Sequence, residues 1–132
     1  MTEPMNEIQK LTIISRRAYE RIPFIKRLTV LDVNTNRIFD ANGIDISVKG
    51  VGFYSSKLFQ KGHHVSIQIW LDDVSQKDPV WIGGTVKWSK LEQDGAIMGI
   101  EFDALIKPAE HPKLYGMIYK IMQVLLVGSG LL

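Results

Sequence analysis

The arginine pair in Arg17-Ala18-Tyr19-Glu20-Arg21 is the first group along the chain whose residue types suit ligand chemistry. Residues four apart project from one side of the chain, whether it is helical or extended. Each guanidinium group is planar and stays charged. It can hold phosphate oxygens, or the Hoogsteen edge of a guanine, with parallel hydrogen bonds. The pair is therefore a candidate anion site, and a solvated basic arm is the alternative.

A second polar group follows in the segment Asp45-Ile46-Ser47-Val48-Lys49-Gly50. Residues two apart on a strand lie on the same face, ~6.6 Å apart, so Asp45 and Ser47 are predicted to form one outward polar pair. Asp45 could accept hydrogen bonds from the donor edge of a guanine, and Ser47 could serve a base or a phosphate. Gly50 would let a ligand approach the backbone. Alternatively, Asp45 and Ser47 cap a turn and Gly50 supplies a positive φ angle.

Positive charge is concentrated near these groups and not spread over the chain. The 16 basic and 14 acidic residues leave a net charge of +2, which argues against a dedicated nucleic-acid binder. A cluster near the N-terminus instead predicts an anionic ligand. Its members are Arg16, Arg17, Arg21, Lys26 and Arg27.

Other chemistry finds little support. The chain has no cysteine, which excludes disulfides and thiolate metal sites. His63 and His64 are adjacent on an extended segment and point to opposite faces, so they cannot both bind one metal ion. Gly83-Gly84 is not followed by the pattern of a phosphate loop. We expect no enzyme, no cofactor and no metal site.

The elements that position these groups are mostly strands. The turn-prone Asn34-Thr35-Asn36 separates the first two strands, Asn42-Gly43 indicates a bulge, and Asp94-Gly95 suits a hairpin. Ile44 and Ile46 are predicted to face the core, opposite Asp45. Short strands separated by turns favour a barrel or a sandwich. The predicted strands are Phe24 to Val33, Arg37 to Val48, Val51 to Ser55, Val65 to Leu71, Val80 to Ser89 and Ile97 to Phe102.

Beyond Pro112 the apolar pattern takes a helical period. The polar positions Lys113, Gly116, Lys120 and Gln123 form one narrow stripe, and the rest of the helix is apolar. Either this broad surface covers the barrel mouth and more, or it also meets a second copy of the chain. The apolar stretch is too short to span a membrane, and the N-terminus lacks a signal-peptide pattern. We therefore expect a cytoplasmic protein.

Taken together, the two motifs resemble the signature of the PilZ family. The resemblance covers Ser15 to about Asp103, through RRAYERIPF, DISVKGVGF, GTVKW and MGIEF. It implies an all-β fold, a six-stranded antiparallel β-barrel with a C-terminal helix. The expected division is an N-terminal arm over residues 1–22, the barrel over 23–107, and the helix and tail over 108–132.

The resemblance also implies that the chain binds cyclic di-GMP without chemistry. By motif position, Arg17 and Arg21 would hold guanine edges and phosphates. Asp45 and Ser47 would read a guanine, and Gly50 would lie against it.

Two further residues extend the expected site. Trp88 matches a position where some family members stack a ring on the ligand, although its alternation with Ile82 and Val86 is also that of a core tryptophan. Arg16 precedes the arginine motif and, in an extended arm, projects opposite to Arg17. Family members with arginine there tend to bind an intercalated ligand dimer, which implies two ligands per chain.

Three functions remain open at this point. The leading one is a receptor or adaptor whose partner surface changes when cyclic di-GMP cross-links the arm to the barrel. The second is a PilZ-fold protein adaptor that binds no nucleotide. The third is a barrel for single-stranded nucleic acid, which is disfavoured because few aromatic residues interleave with the basic cluster.

Overall fold

The computed structural model describes Asn6, residues 20–71 and residues 79–128. Within these ranges the chain forms seven strands followed by one helix. The strands are β1 (Ile22–Pro23), β2 (Arg27–Asp32), β3 (Ile38–Ile46), β4 (Gly50–Ser55), β5 (His64–Trp70), β6 (Pro79–Glu92) and β7 (Gly95–Phe102), and the helix is α1 (Pro112–Gly128).

Strands β2 to β7 close into an antiparallel barrel. The strand order is β3-β2-β5-β6-β7-β4, and β4 pairs back with β3. This confirms the predicted six-stranded barrel with a C-terminal helix. Strand β1 is an addition, pairing Ile22 and Pro23 with Ile46 and Asp45 of β3. Since proline cannot donate to a ladder, Pro23 suits this outermost position. Because β1 pairs with the end of β3, it keeps Arg21, the residue directly before β1, close to Asp45.

Regular alternation fills the barrel with apolar side chains. On β5, Val65, Ile67 and Ile69 are buried, while the residues between them are partly exposed. Buried apolar residues from β2, β3, β4, β6 and β7 complete the same core. The predicted hairpin is confirmed, but its turn lies one residue earlier than Asp94-Gly95: Glu92 of β6 pairs with Gly95 of β7, so Gln93 and Asp94 form the two-residue turn.

A bulge on β3 changes which residues face the core. The β3–β4 register shifts between Gly43 and Asp45, which confirms the predicted irregularity near Asn42-Gly43. The prediction that Ile44 faces the core is wrong, since 40% of this residue is exposed. Glycine is required at 43 because a Cβ there would lie 2.6 Å from the carbonyl oxygen of Phe24.

The Asp32 carboxylate ties the β2–β3 turn to the loop that precedes β5. It accepts hydrogen bonds from the Asn34 amide at 3.0 Å and the Thr35 hydroxyl at 2.9 Å, and it lies 2.8 Å from His63 Nε2. The His63 hydrogen bond is the main cause that lowers the pKa of Asp32 to about 2. The adjoining Asn36 takes a φ of 63°, which asparagine tolerates better than most residues.

Helix α1 packs one side against the barrel. Leu114, Ile118, Met122 and Leu126 recur every four residues and are buried, as a packing stripe requires. Val124, Leu125 and Val127 are instead 71%, 41% and 58% exposed, so the apolar surface of the helix is wider than its contact with the barrel. No helix among the described residues has the length and apolar character needed to cross a membrane.

Candidate functional site

A row of four residues in register crosses the outside of the barrel. Asp45 on β3 pairs with Gly52 on β4, Gly52 pairs with Gly99 on β7, and Gly99 pairs with Trp88 on β6. A carboxylate therefore stands at one end of the row and an indole at the other. The two positions between them carry no side chain.

The two glycines make room for the side chains at the ends of the row. A Cβ on Gly52 would lie 2.6 Å from Asp45 Oδ1, and a Cβ on Gly99 would collide with the Trp88 indole. Both side chains thus lie down over the backbone of their neighbours. The result is a flat floor, formed by the carboxylate and the indole lying over the two glycines, and a planar ring could approach its exposed outer side.

Arg21 joins this row through Asp45. Arg21 Nη1 donates to Asp45 Oδ1 at 2.7 Å, and the two side chains are 42% and 34% exposed. An ion pair this exposed contributes only about 0–1 kcal/mol, because water competes for both groups. Both groups can therefore be re-paired to a ligand at little cost.

Ser47 differs from its predicted position. It is only 2% exposed, so the prediction that it forms an outward pair with Asp45 is wrong. Strand β3 ends at Ile46, and Ser47 already belongs to the turn into β4. Its hydroxyl accepts from the Lys49 amide at 3.1 Å, and its amide donates to the Gly50 carbonyl oxygen at 2.8 Å. Ser47 thus caps the turn, as the alternative interpretation had it.

Gly50 is required by packing and not by a turn conformation. Positive φ angles among the described residues occur at Asn36 and Gly62, so the alternative that Gly50 supplies one is wrong. A Cβ at Gly50 would collide with the carbonyl oxygen of Ile100. Gly50 therefore lets β4 approach β7 closely at the edge of the floor.

Trp88 lies on the surface, and the core interpretation of this residue is wrong. The β6–β7 register shifts between Val86 and Trp88, so β6 carries one extra residue there. Val86 is buried, whereas Trp88 is 46% exposed. The bulge thus moves the indole from the interior face, where strict alternation places it, to the outer face above Gly99.

A groove of about 490 Å³ runs along the Trp88 side of this floor. Its lining includes cationic and acidic side chains, and Lys87 Nζ lies 3.0 Å from Glu101 Oε2. Of the predicted site residues, Arg21 and Trp88 line the groove, and Asp45 reaches it through Arg21. Its lining comprises Arg21, Lys49, Lys87, Trp88, Ile100, Glu101, Phe102, Asp103, Ala104 and Leu105.

Several functional positions are not identifiable from the sequence. In the sequence, Gly52 and Gly99 are indistinguishable from ordinary strand glycines. Only the β4–β7 register shows that they lie side by side. Lys87 and Glu101 lie in GTVKW and MGIEF but in neither of the two binding motifs, although alternation along β7 does put Glu101 on the same face as Gly99. Two predicted site residues, Arg16 and Arg17, lie outside the described residues.

Solved structures with the same fold include three proteins from different bacteria. The PilZ domain of YcgR from Escherichia coli, described with c-di-GMP, is 13% identical with a TM-score of 0.65, covering 89% of this chain and 99% of that one. PlzA of Borreliella burgdorferi, described in complex with c-di-GMP, is 16% identical with a TM-score of 0.53, covering 91% and 50%. The Bacillus subtilis inhibitor of motility (MotI/DgrA) is 13% identical with a TM-score of 0.60, covering 78% and 50%. The chain thus spans about half the length of the last two proteins.

Sequence comparison is more specific than these structural similarities. No curated protein matches the chain. The model of the PilZ domain family, in contrast, matches residues 15–118. This range contains both the arginine motif and the segment from Asp45 to Gly50, and it includes the whole row that ends at Trp88. The chain therefore belongs to the PilZ domain family.

Proposed function

We propose that this protein is a receptor for cyclic di-GMP that binds the nucleotide without chemical change and acts as an adaptor. The observation that carries the proposal is the row from Asp45 to Trp88, a glycine floor with a carboxylate at one end and an exposed indole at the other. Complexes of the Escherichia coli and Borreliella burgdorferi relatives with c-di-GMP support the choice of ligand.

Each part of the row suits one part of a guanine nucleotide. The Asp45 carboxylate can accept from the N1–H and N2–H₂ donors of the guanine edge. The exposed face of Trp88 can stack on a base, an interaction worth about 1–3 kcal/mol. Arg21 can leave Asp45 for a phosphate or for the guanine acceptors, because its present partner is exposed and weakly held.

The remaining predicted residues complete the proposed site in two ways. Ser47 and Gly50 contribute through the backbone that they position, since Ser47 caps the turn and Gly50 allows β4 to meet β7. Arg16 and Arg17 extend the guanidinium cluster that ends at Arg21. Three such groups match the four phosphate charges of two stacked ligands better than the two charges of one. We therefore propose two cyclic di-GMP molecules per chain.

The adaptor function follows from where the ligand would bind. Arg21 lies directly before β1, at the junction between residues 1–22 and the barrel. A ligand that contacts both Arg21 and the glycine floor cross-links these parts and changes the surface offered to a partner. The exposed Val124, Leu125 and Val127 of α1 provide an apolar patch on which a second copy of the chain could pack.

Calorimetric titration with cyclic di-GMP, GTP and a short RNA tests this proposal against its alternatives. We expect binding of cyclic di-GMP alone, with at least a 10-fold loss for Arg21→Ala and for Asp45→Ala, since removing a charged hydrogen-bond partner costs about 1.5–3 kcal/mol. Matched controls are Arg37→Ala in the β2–β3 turn and Asp40→Ala on β3, both exposed and outside the groove.

The alternatives predict different titrations. A protein adaptor without nucleotide would give no heat with any of the three ligands. A nucleic-acid barrel would bind RNA most tightly, with an affinity that falls steeply with salt. Unchanged affinity in both Arg21→Ala and Asp45→Ala would also remove the proposed site.

A further inference from the structure

Lys87 and Glu101 form a second cation–carboxylate pair beside the indole. Glu101 follows Gly99 by two residues on β7, so it lies on the same outer face, ~6.6 Å further along the strand. Its Oε2 lies 3.0 Å from Lys87 Nζ, and the side chains are 54% and 55% exposed. Both residues line the same groove as Trp88 and Arg21.

The β6 bulge explains why Lys87 lies there. In a regular strand Lys87 and Trp88 would point to opposite faces. Because the register shifts between Val86 and Trp88, both residues are exposed on the outer face. One irregularity thus presents an aromatic ring and an ammonium group side by side, with the Glu101 carboxylate next to them.

The chemistry of this pair repeats that of Arg21 and Asp45. The Watson–Crick edge of guanine presents one acceptor, O6, followed by two donors, N1–H and N2–H₂. A cation beside a carboxylate presents the complement, a donor followed by acceptors. Adenine has only one donor group on this edge, N6–H₂, so it cannot donate to both oxygens of a carboxylate as N1–H and N2–H₂ of guanine do. The barrel surface therefore carries two elements of the same recognition pattern, one at Asp45 and Arg21 and one in the groove beside Trp88.

On the basis of the proposed function, we propose that Lys87 and Glu101 form hydrogen bonds with a second guanine base. They would thereby determine specificity for a ligand with two guanines. Neither residue belongs to the two sequence motifs. Asp103 also lines the groove, but its carboxylate lies against Gly83, where a Cβ would be 2.5 Å from Asp103 Oδ2. Gly83 is five residues from Trp88 along β6, whereas Glu101 is two residues from Gly99, the residue that pairs with Trp88.

The test compares cyclic di-GMP with the hybrid cyclic GMP–AMP by calorimetry. The wild-type protein should prefer cyclic di-GMP by about 10-fold or more, since a matched pair of hydrogen bonds discriminates bases by this order. Glu101→Gln should weaken cyclic di-GMP by a similar factor and leave the hybrid within about 2-fold, so the preference disappears. Lys87→Met should act in the same direction.

The chain offers a matched control pair on the same strand. Lys90 and Glu92 are both exposed, and Lys90 Nζ lies 3.9 Å from Glu92 Oε1. Neither residue lines the groove. Lys90→Met and Glu92→Gln should leave both affinities unchanged, and thermal unfolding checks that every variant is folded. An unaltered preference in Glu101→Gln, or a loss in Asp103→Asn instead, would overturn the inference while the proposed function stands. A wild-type protein that does not bind cyclic di-GMP would overturn both.

Discussion

Substituting Gly99 by alanine should separate ligand binding from folding. An added Cβ would collide with the Trp88 indole, including a contact of 2.8 Å to Cδ1. The ring is a side chain that is 46% exposed, so it can lift off the floor without moving the backbone. The proposed platform for a base is then lost.

The loss of binding free energy and the loss of folding stability should differ in size, and both can be measured. Loss of stacking is worth about 1–3 kcal/mol, or roughly a 5-fold to 150-fold weaker affinity for cyclic di-GMP. The buried half of the indole is about 100 Å², which sets an upper limit of about 2.5 kcal/mol on the loss of stability. Replacing a strand glycine recovers about 0.4–1 kcal/mol of this. We expect a large change in affinity and a free energy of unfolding that falls by less than about 2 kcal/mol.

Calorimetry and urea unfolding of Gly99→Ala, Trp88→Ala and the double variant provide the assay. If Gly99 acts through the indole, its substitution has no further effect on affinity once Trp88 is alanine. Wild-type affinity in Gly99→Ala would refute this reasoning. If Gly99→Ala weakened affinity equally with and without the Trp88 indole, the reasoning would also be refuted.

Four further predictions concern other parts of the chain. Gly50→Ala should destabilise the fold by about 1–3 kcal/mol because its Cβ meets backbone, whereas Gly116→Ala has open space in α1 and should stabilise by about 0.5–1 kcal/mol; equal effects in urea unfolding would contradict this. The lowered pKa of Asp32 stabilises the folded state above its ordinary value of 3.8, and this contribution should be lost as pH falls towards about 2. Asp32→Asn should remove that pH dependence. If the free energy of unfolding of the wild type and of Asp32→Asn changed with pH in the same way over this range, this role of Asp32 would be contradicted. Arg16→Leu should lower the calorimetric stoichiometry from two cyclic di-GMP per chain towards one, and a constant value of one would refute the role of this arginine. Val124→Glu should weaken self-association in sedimentation velocity, and a monomeric wild-type protein at high concentration would exclude that use of α1.

Much of the architecture is accessible from the sequence because β2 and β5 keep a strict period of two and parts of the other strands do so as well. The alternation of β5 predicts its buried residues correctly, and the Asp94-Gly95 signal predicts the hairpin to within one residue. Arg21 and Asp45 are also brought together as their motifs suggest.

The errors arise where that period is interrupted. Ile44 is the extra, unpaired residue of the β3 bulge, and Trp88 follows the β6 bulge, so strict alternation assigns each side chain to the wrong face. Ser47 lies past the end of its strand, so alternation no longer applies to it. The glycine floor depends on cross-strand register, which links Gly52 to a residue far away in the chain. No local pattern carries that information.

Titration of the labelled protein with cyclic di-GMP, followed by two-dimensional nuclear magnetic resonance, tests the central claim most directly. The chain has three tryptophans, each of which reports through its indole N–H. We predict that the Trp88 indole and the amides of Gly52 and Gly99 shift on binding, and that the indoles of Trp70 and Trp81, outside the groove, do not. Shifts confined to Trp81 or Trp70, or no shift at saturating ligand, would contradict the proposed site.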